Sequence, residues 1–483
     1  MRLRIRNRLR RVYYIDDRGN ETASERNAMK HGNRHVLTAM SALVLLIFGS
    51  RSAAGERSAG MSIARTMIAV DAVVDASLDD WHAFYMVCHE NPELSLQEKE
   101  SAERLARHFR KHGIDTTENV GGHGVVGVLK NGKGPTVLIR GDMDALPIVE
   151  ETGLPFASRK TAKLPDGHTV GIMHACGHDM HQTVLAATAQ TLAATKSDWK
   201  GTIVFVAQPA EEIGVGARAM IEDGLFTRFP KPDYCIALHV SHEQPSGAVG
   251  WTSGWVYANV DSVDITVHGV GGHGAYPHGT VDPVVAAAQI ITALQTIVSR
   301  RLNPLDRAVV TVGSVHAGSK HNIIPETATL QLTVRSFTDE VRKEVLDSIR
   351  RIAIHTARAM GCPKDPEVVV RSDEFTPASY NDPELTATAA EVFRQLLGEK
   401  QVAERPPSMG GEDFGRFAKA AGVPGFMFQL GVVEPKRYAA SQQEGGEPNP
   451  TVHSSKFQTD AIPTIRTGVR CMTALALTLL NGD

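Results

Sequence analysis

Thr136-Val137-Leu138-Ile139-Arg140-Gly141-Asp142-Met143-Asp144-Ala145-Leu146-Pro147 is the stretch from which the rest of the chain can be read. Thr136 to Arg140 is a short apolar run of strand character, and two carboxylates follow it at once. The pattern returns twice. Thr202 to Val206 is another such run, followed by Gln208-Pro209-Ala210-Glu211-Glu212, and Cys235 to Val240 is a third, with His239 near its end. Val125 to Leu129 adds a further strand beside glycine. Helical apolar spacing accompanies these runs at Leu96 to Gly113, which Gly113 can close, and at Thr183 to Ala194. Strands alternating with helices predict an α/β fold: a mixed central sheet, largely parallel, flanked by helices. In open sheets of this kind sites form beyond the carboxyl ends of the strands, which is where the ionisable residues fall.

The rhythm changes between about Gly250 and Val370. Ser262 to Val267 alternates as a strand with Val263, Ile265 and Val267 on one face. Asp282 to Arg300 reads as a helix, Ala308 to Val315 and Thr327 to Arg335 as strands, Asp339 to Met360 as a long amphipathic helix, and Glu367 to Val370 as a last strand. The order β-α-β-β-α-β is that of a ferredoxin-like α+β unit, inserted into the larger fold. A helix at Leu385 to Leu397, a strand at Gly425 to Leu430 and a helix from Pro463 to Leu480 complete the first layer system, and Glu444 to Pro450 reads as a surface loop. The expected organisation is a leader over 1–60, a catalytic domain in two parts, 61–249 and 371–483, and an inserted domain over 250–370.

Lys plus Arg is 51 and Asp plus Glu is 54 among 483 residues, a formal charge of −3. That balance lacks the basic face of a nucleic-acid binder. Five cysteines without regular spacing do not make a disulfide framework. No G-x-x-x-x-G-K-[ST] phosphate loop and no well-placed G-x-G-x-x-G is found. Near the start, Lys30 and Arg34 precede an apolar run from Val36 to Phe48, and Ser50, Ser52, Ala53, Ala54 and Gly55 follow it. This is the layout of a secretory signal, and the run is shorter than the roughly 20 residues of a spanning helix. A secreted or periplasmic enzyme with no stable membrane anchor is expected. Met29 is a candidate for the true start, since the segment before the apolar run is unusually long, and the competing reading is a cytoplasmic enzyme preceded by a leader from a mis-called start codon.

Ligand chemistry concentrates in Met173-His174-Ala175-Cys176-Gly177-His178-Asp179-Met180-His181. Any one of these histidines alone would more often be structural. Three imidazoles and a thiol within eight residues point to a transition metal such as zinc. Gly177 lets the backbone turn so that Cys176 and His178 face one centre, and Asp179 can accept a hydrogen bond from a ligand imidazole. Glu211 and Glu212 are adjacent carboxylates whose joint ionisation needs a nearby cation. An exposed helix N-terminus is the ordinary reading of such a pair; one glutamate as ligand and its neighbour as proton acceptor is the functional one. Asp142 and Asp144 read as a solvated turn or as carboxylates that orient a ligand or base. His239, His453 and the glycine-flanked His273, each taken alone, carry little weight. Asn322 and Arg335 offer an amide and a guanidinium for a substrate carboxylate.

Taken in order, these blocks resemble the metal-dependent amidohydrolases related to hippurate hydrolase, the indole-acetyl-amino-acid hydrolases and N-acetyl-diaminopimelate deacetylase, within the aminoacylase and carboxypeptidase clan of dinuclear metallopeptidases. The likeness runs from His89-Glu90-Asn91-Pro92-Glu93-Leu94-Ser95 through Asp142 to Pro147, Ala175 to Asp179, Gln208 to Glu212, Gly271-Gly272-His273 and Gly410-Gly411-Glu412-Asp413-Phe414. It implies a zinc-exopeptidase-like catalytic domain with a lid that also dimerises. It implies two divalent ions, zinc or manganese with cobalt or nickel as further candidates, held by Cys176, His178, Glu212, His239 and His453, with the Cys176 thiolate between them. Glu211 would be the general base and Asp142 the supporting carboxylate. His273 would steady the oxyanion, in its own or a second subunit, and Asn322 and Arg335 would bind substrate. The implied reaction is hydrolysis of the amide bond of an N-acyl amino acid.

The sequence departs from the resemblance at Gly141, Gly274, Gly411, Ser455 and Asp460, none of them a ligand or the base. Gly411 and the surroundings of His453 bear on the shape of the substrate pocket. A dipeptidase or carboxypeptidase of the same clan is the alternative within the enzyme class. A non-catalytic binding descendant would have lost a ligand or the base, and all are present.

Overall fold

The structure, a computed structural model, describes residues 67–164 and 167–482; the leader expected over 1–60 lies outside them. Residues 67–90 form a helix whose buried side chains, Val70, Val74, Trp81, Tyr85 and Cys88, recur at three-, four- and seven-residue steps, so one stripe faces the core. Lys99–Lys111 follows as an amphipathic helix burying Leu105 and Phe109.

The central sheet has eight strands. From one edge it runs Asp115–Val120, Gly124–Asn131, Gly201–Gln208, Thr136–Asp142, Tyr234–Pro245, Gly425–Val433, Val249–Trp251 and Val402–Glu404. Thr136–Asp142 pairs parallel with the strands on both sides, and Tyr234–Pro245 pairs parallel with Gly425–Val433. The Asp115–Val120 and Gly124–Asn131 pair adds an antiparallel edge, so the sheet is mixed, as expected. Thr136–Asp142 and Gly201–Gln208 are buried almost throughout, which accounts for their continuous apolar runs.

His178–Ala194 starts five residues before the expected Thr183 and is buried along most of its length, packed against Thr136–Asp142 and the C-terminal helix Ala461–Asn481. Its first turn, His178-Asp179-Met180-His181, is too polar to register as apolar periodicity. That turn places the histidines at the end of the central strands.

The inserted unit is a four-stranded antiparallel sheet in the order Ala308–Ala317, Thr327–Ser336, Asn259–His268, Glu367–Val370, with helices Pro283–Leu294 and Asp339–Ala359. The expected alternation is present: Val263, Ile265 and Val267 are buried. They join Ile290, Leu294, Leu332, Val345 and Ile349 in a core of their own. Both helices carry side-chain caps. Asp282 accepts from Val284 N–H with Pro283 in the first turn, and Thr338 accepts from Val341 N–H.

Candidate metal centre

Three strand ends and one helix start converge. Gly177 takes φ +77°, and a Cβ there would lie 2.6 Å from Val240 Cγ2, so only glycine allows the turn from Cys176 into the His178 helix. Cys176, His178 and His239 form one group of potential ligand atoms. Cys176, Glu212 and His453 form a second. Cys176 belongs to both, with its sulfur 3.5 Å from His239 Nε2. His453 Nε2 lies 3.5 Å from Glu212 Oε2, and His453 is held in a left-handed conformation (φ +65°) by a hydrogen bond from its N–H to the Ala175 carbonyl. The five residues expected as ligands are thus brought together.

The protonation pattern fits a cation. His178 Nδ1 donates to the Asp144 carbonyl at 2.8 Å, and its buried Nε2 has no hydrogen-bond partner among the described residues. A buried lone pair with nothing to accept from is a costly arrangement that a metal ion would resolve. Glu212 Oε1 is likewise buried and unpartnered, while its backbone N–H donates to Asp144 Oδ2 at 2.9 Å. Burial, together with Asp144 and Asp142, pushes the Glu212 carboxyl up to about 7 despite His178 nearby. Burial and the neighbouring Glu412 and Glu212 raise Glu211 well above the usual carboxylate range. Burial and the Glu212 charge raise the Cys176 thiol likewise. Excess negative charge in a dry site is what divalent cations neutralise. A thiol, imidazoles and carboxylates form a donor set that suits zinc and its neighbours.

A second layer of residues orients these groups. Val240 N–H donates to His181 Nε2 at 3.0 Å, so His181 carries its proton on Nδ1 and donates it to Asp142 Oδ1 at 2.5 Å. Burial lowers His181 to about 4, keeping it neutral in this role. Arg140, fully buried, reaches Asp142 at 2.6 Å and Glu412 at 2.8 Å, and donates from Nε to Gln208 at 2.8 Å. Gln208 in turn donates to Asp413. One guanidinium therefore ties two strand ends and the Glu412-Asp413 loop together.

One expectation is corrected in detail. Asp179 pairs with His89 at 2.7 Å instead of with an imidazole of the cluster. His174 is buried beside the centre but belongs to none of the ligand groups. Arg140, Glu412 and Asp413 went unassigned in the sequence. The signal was available: a charged residue inside the otherwise apolar run Thr136 to Arg140 calls for buried partners.

Above the centre opens a cavity of about 520 Å³, lined by Glu211, Glu212, His239 and His453 on one side and by Val260, Ser262 and Arg335 of the inserted sheet on the other. Gly411 also borders it. A Cβ at Gly411 would lie 2.5 Å from Val260 Cγ2 and 3.4 Å from Arg335 Nη1, so this departure leaves room beside the guanidinium. His273 and Asn322 are not among the walls. Both are exposed, beside the antiparallel pairing of the two-residue strands Gly272–His273 and Ile323–Ile324.

Residues 138–476 match the model of peptidase family M20/M25/M40. The chain is 37% identical over 397 residues to thermostable carboxypeptidase 2 of Saccharolobus solfataricus, covering 81% of this chain and 93% of that protein. It is 39% identical over 333 residues to hippurate hydrolase of Campylobacter jejuni, covering 68% and 83%. A crystal structure of the Bacillus subtilis YXEP protein, described as a dinuclear metal-binding peptidase of the M20 family, superposes with TM-score 0.68 at 31% identity over 85% of this chain and 100% of that one. The fold is thus that of an α/β metallohydrolase, and the chain belongs to peptidase family M20/M25/M40.

Proposed function

We propose that the protein hydrolyses the amide bond of N-acyl amino acids, and that Cys176, His178, His239, Glu212 and His453 would hold two divalent ions, zinc or manganese. The observation that carries this reading is the membership of Cys176 in both ligand groups, with half-buried Glu211 beside them and Arg335 across the cavity. When bound, the ions supply an acidified water and a Lewis acid for the acyl oxygen. Glu211 takes the proton of that water and returns it to the leaving nitrogen. Its raised affinity for protons in this dry, acid-rich pocket suits it to both steps. Asp142, held by Arg140 and His181, keeps the His178 side of the centre in place. Arg335 receives the substrate carboxylate, and Asn322, which lies beside His273 outside the cavity walls, would join it only from a second copy of the chain.

His273 supplies the oxyanion contact from a second copy of the chain, because in its own chain it lines no part of the cavity. The 250–370 unit is then both lid and dimerisation surface. Its helix Pro283–Leu294 turns Val284 and Val285, 45% and 46% exposed, outward, as an interface helix would.

The second reading, a dipeptidase or carboxypeptidase, is favoured by the likeness to thermostable carboxypeptidase 2. The test is a panel of N-acetyl, N-benzoyl and indole-acetyl amino acids beside plain dipeptides, with metal-replete and chelated enzyme. Chelator-sensitive release of amino acid from the acylated substrates supports the proposal. Cleavage of dipeptides alone moves the assignment to peptidase.

A further inference from the structure

The segment Glu93-Leu94-Ser95-Leu96-Gln97-Glu98 carries none of the chemistry above, yet it touches both carboxylate-bearing loops. The Glu93 carbonyl accepts from Ala145 N–H at 2.8 Å, and Ser95 Oγ donates to Asp144 Oδ2 at 2.7 Å. Glu98 is fully buried. Its Oε1 accepts from Leu96 N–H at 2.9 Å and from Ala210 N–H at 2.8 Å. Both donors belong to non-glycine residues in left-handed conformations, Leu96 at φ +67° and Ala210 at φ +51°. Only two other described non-glycine residues have positive φ, so half of this strained set converges on one oxygen. A left-handed alanine costs about 1–2 kcal/mol and persists only where its surroundings hold it.

Ala210 immediately precedes Glu211 and Glu212. Its carbonyl accepts from Val215 and Gly216 N–H at 3.2 and 3.0 Å, which closes the turn that aims the two glutamates. We propose that Glu98 is a positioning residue: its buried oxygen holds the left-handed turn at Ala210, and through that turn sets where Glu211 and Glu212 point. The inference rests on the roles given to those two glutamates above.

The experiment is a double-mutant cycle on the metal-loaded enzyme with two readouts, kcat on an acyl amino acid and metal affinity by chelator competition. Glu98→Ala removes the acceptor and should lower kcat about 100-fold with KM little changed, the scale of a misplaced catalytic group, and should weaken metal affinity by tenfold or more. Ala210→Gly, which takes φ +51° freely, should restore about tenfold of the kcat loss in the Glu98→Ala background; the Ala210→Gly single variant closes the cycle. Glu98→Gln keeps an accepting oxygen and should recover kcat to within a few-fold of wild type, and it carries the test if Glu98→Ala does not fold.

Unchanged kcat and metal affinity in folded Glu98→Ala overturns the proposal. So does a loss that Ala210→Gly fails to relieve, or a Glu98→Gln enzyme as impaired as Glu98→Ala. The metal arm needs no substrate. A correct brace in an enzyme of different specificity would still weaken metal binding while the acyl amino acids go uncleaved, which separates failure of the substrate assignment from failure of this one.

Discussion

The two sets of strand ends facing the cavity are built differently. On the large sheet Arg140, Asp142, His178 and His181 are buried, with Glu211, Glu212 and His239 half-buried above them and His453 exposed at the rim, and Arg140 alone joins Asp142, Glu412 and Gln208. On the inserted unit Arg335 reaches the cavity with no carboxylate paired to it among the described contacts, and His273 is exposed. The buried side is preorganised within one chain, so its variants should act on the chemical step. The exposed side is completed by what arrives, whether substrate or second subunit, so its variants should act on binding or depend on oligomeric state.

The largest expected effect is on the buried side. Glu211→Gln should lower kcat about 1,000-fold, within the range for losing a general base, with KM and bound metal nearly unchanged. A variant that loses metal as well as turnover would make Glu211 a ligand, and the division of labour with Glu212 would be wrong.

His273→Ala should lower kcat about 100-fold, the scale of one lost oxyanion donor. If the residue acts across a dimer, mixing His273→Ala with Glu211→Gln subunits under exchange conditions should restore about a quarter of wild-type activity, since half the dimers are mixed and each mixed dimer has one intact site. No restoration with exchange demonstrated would return His273 to its own chain. Full turnover by His273→Ala would remove it from the mechanism altogether.

Arg335→Ala should raise KM about 10- to 100-fold with a smaller change in kcat, the size of a lost charge-assisted hydrogen bond. An equal fall in kcat with KM unmoved would show that the contact forms only in the transition state, and the contrast between the two sides of the cavity would weaken.

The sheet, the inserted β-α-β-β-α-β order and the Cys176–His178 cluster were legible because each leaves a local trace: an apolar run, a period, a density of donors; His239 and His453 are isolated donors and came only from the resemblance. The helix over 67–90 leaves one too, in the spacing of Val70, Val74, Trp81, Tyr85 and Cys88. The short edge strand Asp115–Val120, with one buried residue in six, has almost no apolar pattern and so no trace. The bracing contacts were not legible at all. Glu98 and Ala210 are 112 positions apart, and Arg140 and Glu412 are 272. Sequence spacing carries no information about a hydrogen bond that only the finished sheet brings together.

The smallest effect concerns His89, which belongs to the buried side yet touches no ligand. Its Nδ1 lies 2.7 Å from Asp179 Oδ2 and its Nε2 2.9 Å from Glu150 Oε1. Both ring nitrogens face carboxylates, so both must donate, and the ring is an imidazolium. Burial acts against that charge, but the hydrogen bonds to Asp179 and Glu150 outweigh it and raise His89 from 6.5 to about 10. A folded-state value above the unfolded one means the stabilisation is fully present below pH 6.5 and is lost as pH rises through about 10. Wild-type Tm should therefore fall between pH 7 and pH 10 by a few degrees more than that of His89→Gln, which is less stable throughout because it leaves a buried carboxylate unpaired. The difference in slope is the observable. Parallel curves would mean that His89 is neutral in the folded protein and that one of its two carboxylates carries the proton instead.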